Sequence, residues 1–99
     1  MNDAGDTRGA DAVRRRVTVV NRRGLHARAA AKFVKLAGRF DARVLVCRAG
    51  MEVGGNSIMG LMMLAAGPGV EIELTASGPQ AREAVDALEG LIAAKFDED

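Results

Sequence analysis

The stretch VEIELTASGPQAREAVDALEGLI, residues 70–92, decides the fold, because a strand pattern gives way to a helix pattern across one short turn. The first half alternates, with apolar Val70, Ile72, Leu74 and Ala76 predicted to face inward, as in a half-buried strand. The intervening residues are expected to face solvent: Glu71, Glu73, Thr75 and Ser77. A strand that leads directly into an amphipathic helix predicts a sheet covered by helices.

The helix in this stretch has the clearest pattern in the chain. Residues 77–80, SGPQ, place a serine three positions before a glutamine, which predicts a capping box with Pro79 in the first helical turn. One face of the helix is apolar at helical spacing: Ala81, Ala84, Val85, Leu88, Leu91 and Ile92.

The remaining elements lie upstream. Residues 16–20, 42–48 and 51–53 have strand patterns. A helix is predicted over residues 27–38, ending at Gly38, and a shorter one over residues 58–66, capped by Asn56 or Ser57 and stopped by Gly67-Pro68-Gly69. The order β-α-β-β-α-β-α predicts an α+β domain, with an antiparallel or mixed four-stranded sheet that carries its helices on one face.

Length and composition bound the class of protein. The chain has 99 residues, 48% of them hydrophobic and 27% charged, with a formal net charge of +1. These values suit one soluble domain, expected over residues 14–99 after a flexible polar leader, residues 1–13. No signal peptide or membrane-spanning stretch is evident, and the lone Cys47 lies in an apolar run that predicts a buried, inert thiol, so a cytoplasmic location is expected.

The only histidine, His26, stands where a loop meets the predicted helix over residues 27–38. The backbone N–H groups of Ala27, Arg28 and Ala29 are the unpaired donors of that helix start, and they favour an anion. A neutral imidazole, whose ordinary pKa is about 6.5, has a nucleophilic nitrogen. The Arg28 guanidinium suits phosphate oxygens, so the segment favours a phosphoryl acceptor.

These residues also fit interpretations without phosphoryl transfer. A single histidine near a helix start is also typical of a surface residue without chemistry, and the basic stripe of the same helix is also typical of a solvated face. A metal site is disfavoured because the chain has no second histidine, and a hydrolase triad lacks a second base for its serines. A small nucleic-acid binder would explain the basic first half, but Trp and Tyr are absent and only three Phe are present.

The segment NRRGLHAR, residues 21–28, resembles the active-site segment of the histidine-containing phosphocarrier protein HPr of the bacterial phosphoenolpyruvate-dependent phosphotransferase system. The resemblance extends through NSIMGLMML, residues 56–64, and covers nearly everything from Val17 onward. It implies an open-faced sandwich of four antiparallel strands and three helices. It also implies that His26 takes a phosphoryl group from Enzyme I at Nδ1 and passes it to a IIA-type protein, with Arg28 binding the phosphate.

The resemblance has further implications. Ser57 corresponds to a regulatory serine that an ATP-dependent HPr kinase/phosphorylase modifies in many HPr proteins.

The short helix has more apolar residues than one face can bury, so an exposed apolar patch with Ile58, Met59 and Met62, beside Lys32, is expected to dock partner proteins. A monomeric carrier without cofactor or metal, rather than a turnover enzyme, is expected.

The sequence departs from the family pattern at one position and leaves the branch open. Ala29 stands where the family normally has a proline, which restores an N–H that is predicted to add a phosphate contact. ELTASGPQ and FDED resemble the nitrogen-related branch, in which a regulatory role without sugar transport is the alternative function. Ser57 and SIMG resemble the kinase-regulated members instead.

Overall fold

The computed structural model describes residues 12–98, and within them the chain forms four strands and three α-helices. In chain order they are β1 (Val13–Thr18), α1 (Ala27–Ala37), β2 (Arg43–Arg48), β3 (Met51–Gly54), α2 (Ile58–Met63), β4 (Glu71–Ser77) and α3 (Ala81–Ala93). The predicted order of elements is confirmed, and the bounds of β2 and β3 differ from the predicted ones by one residue each.

The strands form one open antiparallel sheet in the order β1-β4-β2-β3, with the helices against one face. The inner residues of β4 are buried, as its alternation predicts: Ile72, Leu74 and Ala76. The helices complete the core with fully buried side chains, chiefly Phe33 of α1, Leu61 of α2, and Leu88 and Ile92 of α3. The predicted α+β sandwich is therefore confirmed as an antiparallel one.

The first strand begins earlier than predicted, at Val13 rather than Arg16. Val13 pairs with Ala76 and Thr18 with Glu71, so β4 sets the register and length of β1. In the sequence, the three arginines that follow Val13 hide the start of the strand pattern. Placing Val13 in the leader was wrong, because it is part of the sheet and packs against the core. Of the rest of the predicted leader, residues 1–11 lie outside the described residues.

Two predicted side-chain environments were wrong. Thr75 was expected to face solvent but is only 8% exposed, because it lies on an inner strand between Arg14 of β1 and Leu45 of β2. Cys47 was expected to be buried but is half-buried. Its neighbour Val46 is fully buried, so strand alternation turns Cys47 to the opposite face of the sheet.

The predicted capping box of α3 does not form. Gln80 is the N-cap residue and makes no side-chain cap; its Oε1 instead accepts a hydrogen bond from the backbone N–H of Asp41 at 2.7 Å. Ser77 still belongs to β4, and Pro79 precedes the helix instead of lying in its first turn.

Helix α2 ends at Met63, before the Gly67-Pro68-Gly69 sequence that was expected to stop it. Ala65 has a left-handed φ of +53°, which ends the helical path. Arg48 Nη1 donates to the Leu64 carbonyl oxygen at 2.7 Å, so strand β2 satisfies a carbonyl group at the helix end. By contrast, α1 ends at Ala37 with Gly38 as its C-cap residue, within one residue of the predicted end.

Candidate functional site

The loop between β1 and α1 is fixed by a close approach to the loop between α2 and β4. Leu25 N–H donates to the Ala66 carbonyl oxygen at 3.0 Å. Gly24 has a left-handed φ of +64°, and a Cβ at this position would lie 2.3 Å from Ala66 O and 2.8 Å from Gly67 Cα. Only glycine fits here, so the loop delivers the chain to His26 along one path.

Asn21 lies at the start of this loop and is fully buried. Its Nδ2 donates to the Gly24 carbonyl oxygen at 2.9 Å and to Glu98 Oε1 at 3.0 Å. Its Oδ1 is buried without a hydrogen-bond partner among the described residues. Asn21 therefore joins the loop before α1 to the segment after α3.

His26 is the N-cap residue of α1, with the extended backbone (φ −73°, ψ 176°) typical of that position. The first intrahelical bond runs from Ala30 N–H to the His26 carbonyl oxygen at 2.8 Å. The N–H groups of Ala27, Arg28 and Ala29 precede that bond, and the first turn has no acidic side chain. The predicted placement of the histidine at a helix N-terminus is confirmed.

The imidazole of His26 is hydrogen-bonded through Nε2 to the Glu98 carboxylate oxygen Oε2. Both side chains are mostly buried, with 16% of His26 and 18% of Glu98 exposed. Hydrogen bonds from His26 and Asn21, with a smaller contribution from the Arg23 charge, hold the pKa of Glu98 below its ordinary range. The carboxylate is therefore ionised at neutral pH, and Nδ1 is the ring nitrogen that does not face it.

The segment after α3 folds back onto α1 through a turn with an uncommon backbone. Lys95, Phe96 and Asp97 all have positive φ, at 58°, 55° and 61°. Phe96 is fully buried, and Lys32 Nζ of α1 donates to its carbonyl oxygen at 2.6 Å. These contacts hold the next residue, Glu98, against the imidazole.

His26 borders a surface cleft of about 420 Å³, which is lined by more cationic than anionic side chains. The cationic side chains are those of Arg22, Arg23, Arg28 and Lys32, and the carboxylates are those of Asp97 and Glu98. An anion near His26 thus meets more positive than negative charge. The predicted pair His26 and Arg28 shares this cleft.

Ser57 and the predicted apolar docking residues lie apart from this cleft, at the start of α2 and within it, and α2 packs beside α1. The fourth predicted docking residue, Lys32, lies on α1 and lines the cleft instead. Ser57 is the N-cap residue, and its Oγ accepts from Gly60 N–H at 2.9 Å. The buried member of the helix is Leu61. The predicted exposed apolar surface is confirmed, with these exposed fractions: Ile58 42%, Met59 72%, Met62 41% and Met63 64%. These four residues are called the α2 apolar surface below.

Sequence reasoning missed Glu98 and Asn21 as members of the site. The segment FDED, residues 96–99, was interpreted as a likeness to the nitrogen-related branch and not as part of the site, although Phe96 within it is an isolated apolar residue that has to pack somewhere. This isolated apolar residue was the signal that could have predicted the return of the segment, with its carboxylates, to the folded domain. Asn21 gave no signal, because a buried amide is not evident from its neighbours in sequence.

Residues 12–98 contain no group of three or more His, Cys, Asp or Glu side chains arranged to hold a metal ion. In the same range, every helix is too short or too polar to cross a membrane.

One imidazole at a helix start, bordering a cation-rich cleft of an open antiparallel sandwich, is the arrangement expected of a phosphocarrier domain. A family model described as the PTS HPr component phosphorylation site matches residues 13–94. This match covers the whole sheet and all three helices.

Known proteins agree with that match. Phosphocarrier protein HPr of Cupriavidus necator is 50% identical over 86 residues, 87% of this chain and 97% of the relative. HPr of Pseudomonas putida is 54% identical over 85% of this chain and 94% of the relative, and phosphocarrier protein NPr of Shewanella violacea is 44% identical over 85% and 92%. The crystal structure of HPr-C-His from Thermoanaerobacter tengcongensis matches with a TM-score of 0.84 and 38% identity, covering 88% of this chain and 98% of that one. The chain belongs to the HPr family of phosphocarrier proteins of the phosphotransferase system.

Proposed function

We propose that His26 accepts a phosphoryl group on Nδ1 from phosphorylated Enzyme I and passes it to a IIA-type acceptor protein. The observation that carries the proposal is the placement of the only imidazole at the head of α1, beside the cation-rich cleft. Its Nε2 faces Glu98, so Nδ1 is the nitrogen left for a phosphoryl donor.

The same residues hold the transferred group. The backbone N–H groups of Ala27, Arg28 and Ala29 favour the added negative charge by about 0.3–1 kcal/mol, and one charged hydrogen bond from Arg28 adds about 1.5–3 kcal/mol. Four more kcal/mol confined to the phosphorylated state would slow onward transfer roughly a thousandfold. A modest phosphate site therefore suits a carrier, and this site needs no cofactor.

The proposal is tested by following the phosphoryl group through both steps. Purified protein is mixed with Enzyme I and phosphoenolpyruvate, and intact mass is expected to rise by one acid-labile phosphoryl group. Adding a IIA-type acceptor is then expected to return the mass to its starting value while the acceptor gains the group. A protein that gains no phosphoryl group from an Enzyme I active on another carrier would contradict the proposal.

The α2 apolar surface is proposed as the docking surface for Enzyme I and the acceptor. Exposed methionines adapt to partners of different shape, and a contiguous apolar surface on a small domain is typical of a binding site. Lys32, which is also predicted to belong to this interface, donates a hydrogen bond to the Phe96 carbonyl oxygen and contributes positive charge at the cleft. This positive charge favours partners with acidic surfaces. Association with such partners should therefore weaken as the salt concentration rises, because salt screens the attraction.

Met59→Glu is expected to raise the KM of Enzyme I for this protein about tenfold or more, because a carboxylate would be desolvated at the interface. The kcat should change little, since Met59 does not border the cleft. Steady-state kinetics with varied carrier concentration measures both. Arg82→Glu, a larger charge change at an exposed residue of α3, is the control and should leave KM unchanged. An unchanged KM for Met59→Glu would remove α2 from the interface.

Ser57 is proposed as a regulatory phosphorylation site for an HPr kinase/phosphorylase. The serine is half-buried at the edge of the α2 apolar surface, next to exposed Ile58 and Met59. A phosphate here would add about −2 charge to a surface that docks through apolar contacts. Incubation with the kinase and ATP followed by mapping of the modified residue tests this, and labelling that survives in Ser57→Ala would contradict it.

Ser57→Ala is also expected to lower the free energy of unfolding by about 1 kcal/mol, because the Gly60 N–H loses its acceptor. Urea denaturation measures the loss. Asn56→Ala, a change at the exposed neighbouring residue, is the control and should change stability by less than about 0.5 kcal/mol. Equal effects of the two substitutions would show that the cap contributes nothing.

A second candidate function is a regulator of the nitrogen-related branch that acts through its phosphorylation state without sugar transport. Relatives named NPr favour it, at 44% identity in Shewanella violacea and 42% in Escherichia coli. The 50% and 54% identical relatives named HPr favour the sugar branch. Comparing transfer rates to sugar-specific and nitrogen-related IIA proteins separates the two. For either role, we propose that the protein acts as a monomer in the cytoplasm, where phosphoenolpyruvate is available.

A further inference from the structure

We propose that Glu98 is a positioning residue for His26: it accepts the Nε2–H hydrogen bond and so keeps the imidazole lone pair on Nδ1. This inference rests on the proposed function, in which Nδ1 receives the phosphoryl group. The two residues are 72 positions apart in sequence, yet Glu98 Oε2 is bonded to His26 Nε2 in a mostly buried contact.

The surroundings of Glu98 allow only one direction for this hydrogen bond. An ionised carboxylate only accepts, so the ring nitrogen that faces it has to carry the proton. The other carboxylate oxygen, Oε1, is occupied by Asn21 Nδ2 at 3.0 Å. Each carboxylate oxygen therefore faces one donor. The positive charge of Arg23 also favours the ionised form of Glu98. With Nε2 protonated, a neutral ring has its lone pair on Nδ1.

The turn that carries Glu98 is held in place by contacts independent of His26. Its three residues have positive φ, a region that side chains with a Cβ disfavour, and such a backbone persists only when its surroundings hold it. Buried Phe96 and the bond from Lys32 Nζ to the Phe96 carbonyl do so. The carboxylate is thus in position before a phosphoryl donor arrives, as a preorganised group has to be.

The contact has a defined consequence for transfer. The Nδ1 lone pair forms the bond to phosphorus, while the donor's bond to phosphorus breaks and the donor keeps that electron pair. The ring retains its Nε2 proton and becomes an imidazolium, whose positive charge lies against the Glu98 carboxylate. In onward transfer the Nδ1–phosphorus bond breaks and its electron pair returns to Nδ1. No proton leaves or enters His26, and the carboxylate stabilises the charge that develops on the ring.

The tautomer can be measured without any phosphoryl transfer, because His26 is the only histidine. Nitrogen-15 NMR of histidine-labelled protein at pH 8, where an ordinary imidazole is neutral, reports the proton position. Wild type is expected to show a single Nε2–H tautomer with a slowly exchanging ring proton. In Glu98→Ala the two nitrogen shifts should move toward each other and the proton should exchange faster. Glu83→Gln, which removes an exposed carboxylate of α3 outside the cleft, is the control and should match wild type.

The same variants are then tested in rapid-quench phosphorylation by phosphorylated Enzyme I. Glu98→Ala is expected to be about tenfold slower. Glu98→Gln, which keeps the shape, should also be slower, because one amide oxygen cannot accept from both Asn21 and His26. Glu83→Gln, outside the cleft, should keep the wild-type rate.

The outcomes separate this inference from the proposed function. Wild-type tautomer and rate in both Glu98 variants would overturn the positioning role while leaving His26 as acceptor. A wild-type protein that gains no phosphoryl group would overturn the proposed function and, with it, the role of Glu98 in transfer. A proton found on Nδ1 in wild type would overturn the inference by itself.

Discussion

His26→Ala is expected to remove acid-labile phosphorylation by Enzyme I, with the rate falling more than about 10⁴-fold. The chain has no other histidine, so no second imidazole can form the bond to phosphorus. The cations of the cleft and the N–H groups of α1 remain in this variant, and they favour an anion but cannot replace the imidazole as a phosphoryl acceptor. Intact-mass analysis over time, with unfolding curves to confirm the fold, measures the effect.

Arg28→Ala is the matched comparison for this prediction. It keeps the nucleophile and removes one phosphate contact, so phosphorylation should persist but be about tenfold to a hundredfold slower. Labelling of His26→Ala at the wild-type rate would contradict the assignment of the acceptor. Complete loss in both variants would assign Arg28 more than a binding role.

Gly24→Ala is expected to lower the free energy of unfolding by about 3 kcal/mol or more. The new Cβ would meet the Ala66 carbonyl oxygen at 2.3 Å and Gly67 Cα at 2.8 Å, and both are backbone atoms that cannot rotate away. The left-handed φ of +64° adds about 1–2 kcal/mol, and overpacking adds about 1–3 kcal/mol. Urea denaturation followed by circular dichroism measures the sum.

Gly50→Ala separates the two contributions. Gly50 also has a left-handed φ, of +83°, but a Cβ there would meet nothing within 4 Å. It should therefore cost about 1–2 kcal/mol, the conformational part alone. Equal losses for Gly24→Ala and Gly50→Ala would mean that the loop moves away from Ala66 freely and does not fix the position of His26.

The parts of the site that are local in sequence could be predicted. Helix α1 follows from its own 3.6-residue period and from Gly38, and His26 at its start follows from the helix boundary. The α2 apolar surface follows from a simple count, since a helix of two turns cannot bury that many apolar side chains. In each case the information lies within a dozen residues.

The parts that depend on distant partners could not be predicted. The start of β1 at Val13 is set by pairing with Ala76, and the burial of Thr75 by strands on both sides. The Gln80 side chain binds Asp41 instead of capping its own helix. Glu98 reaches His26 only because Phe96 packs in the core, and no local pattern gives that contact.

The most direct test of the central claim is the position of the phosphoryl group in the wild-type protein. After phosphorylation by Enzyme I and phosphoenolpyruvate, the protein is kept at alkaline pH and fragmented by electron-transfer mass spectrometry, which leaves the labile bond intact. We expect all of the added mass on His26, and none on Ser57 or any other residue. A phosphoryl group mapped elsewhere, with His26 unmodified, would contradict the account.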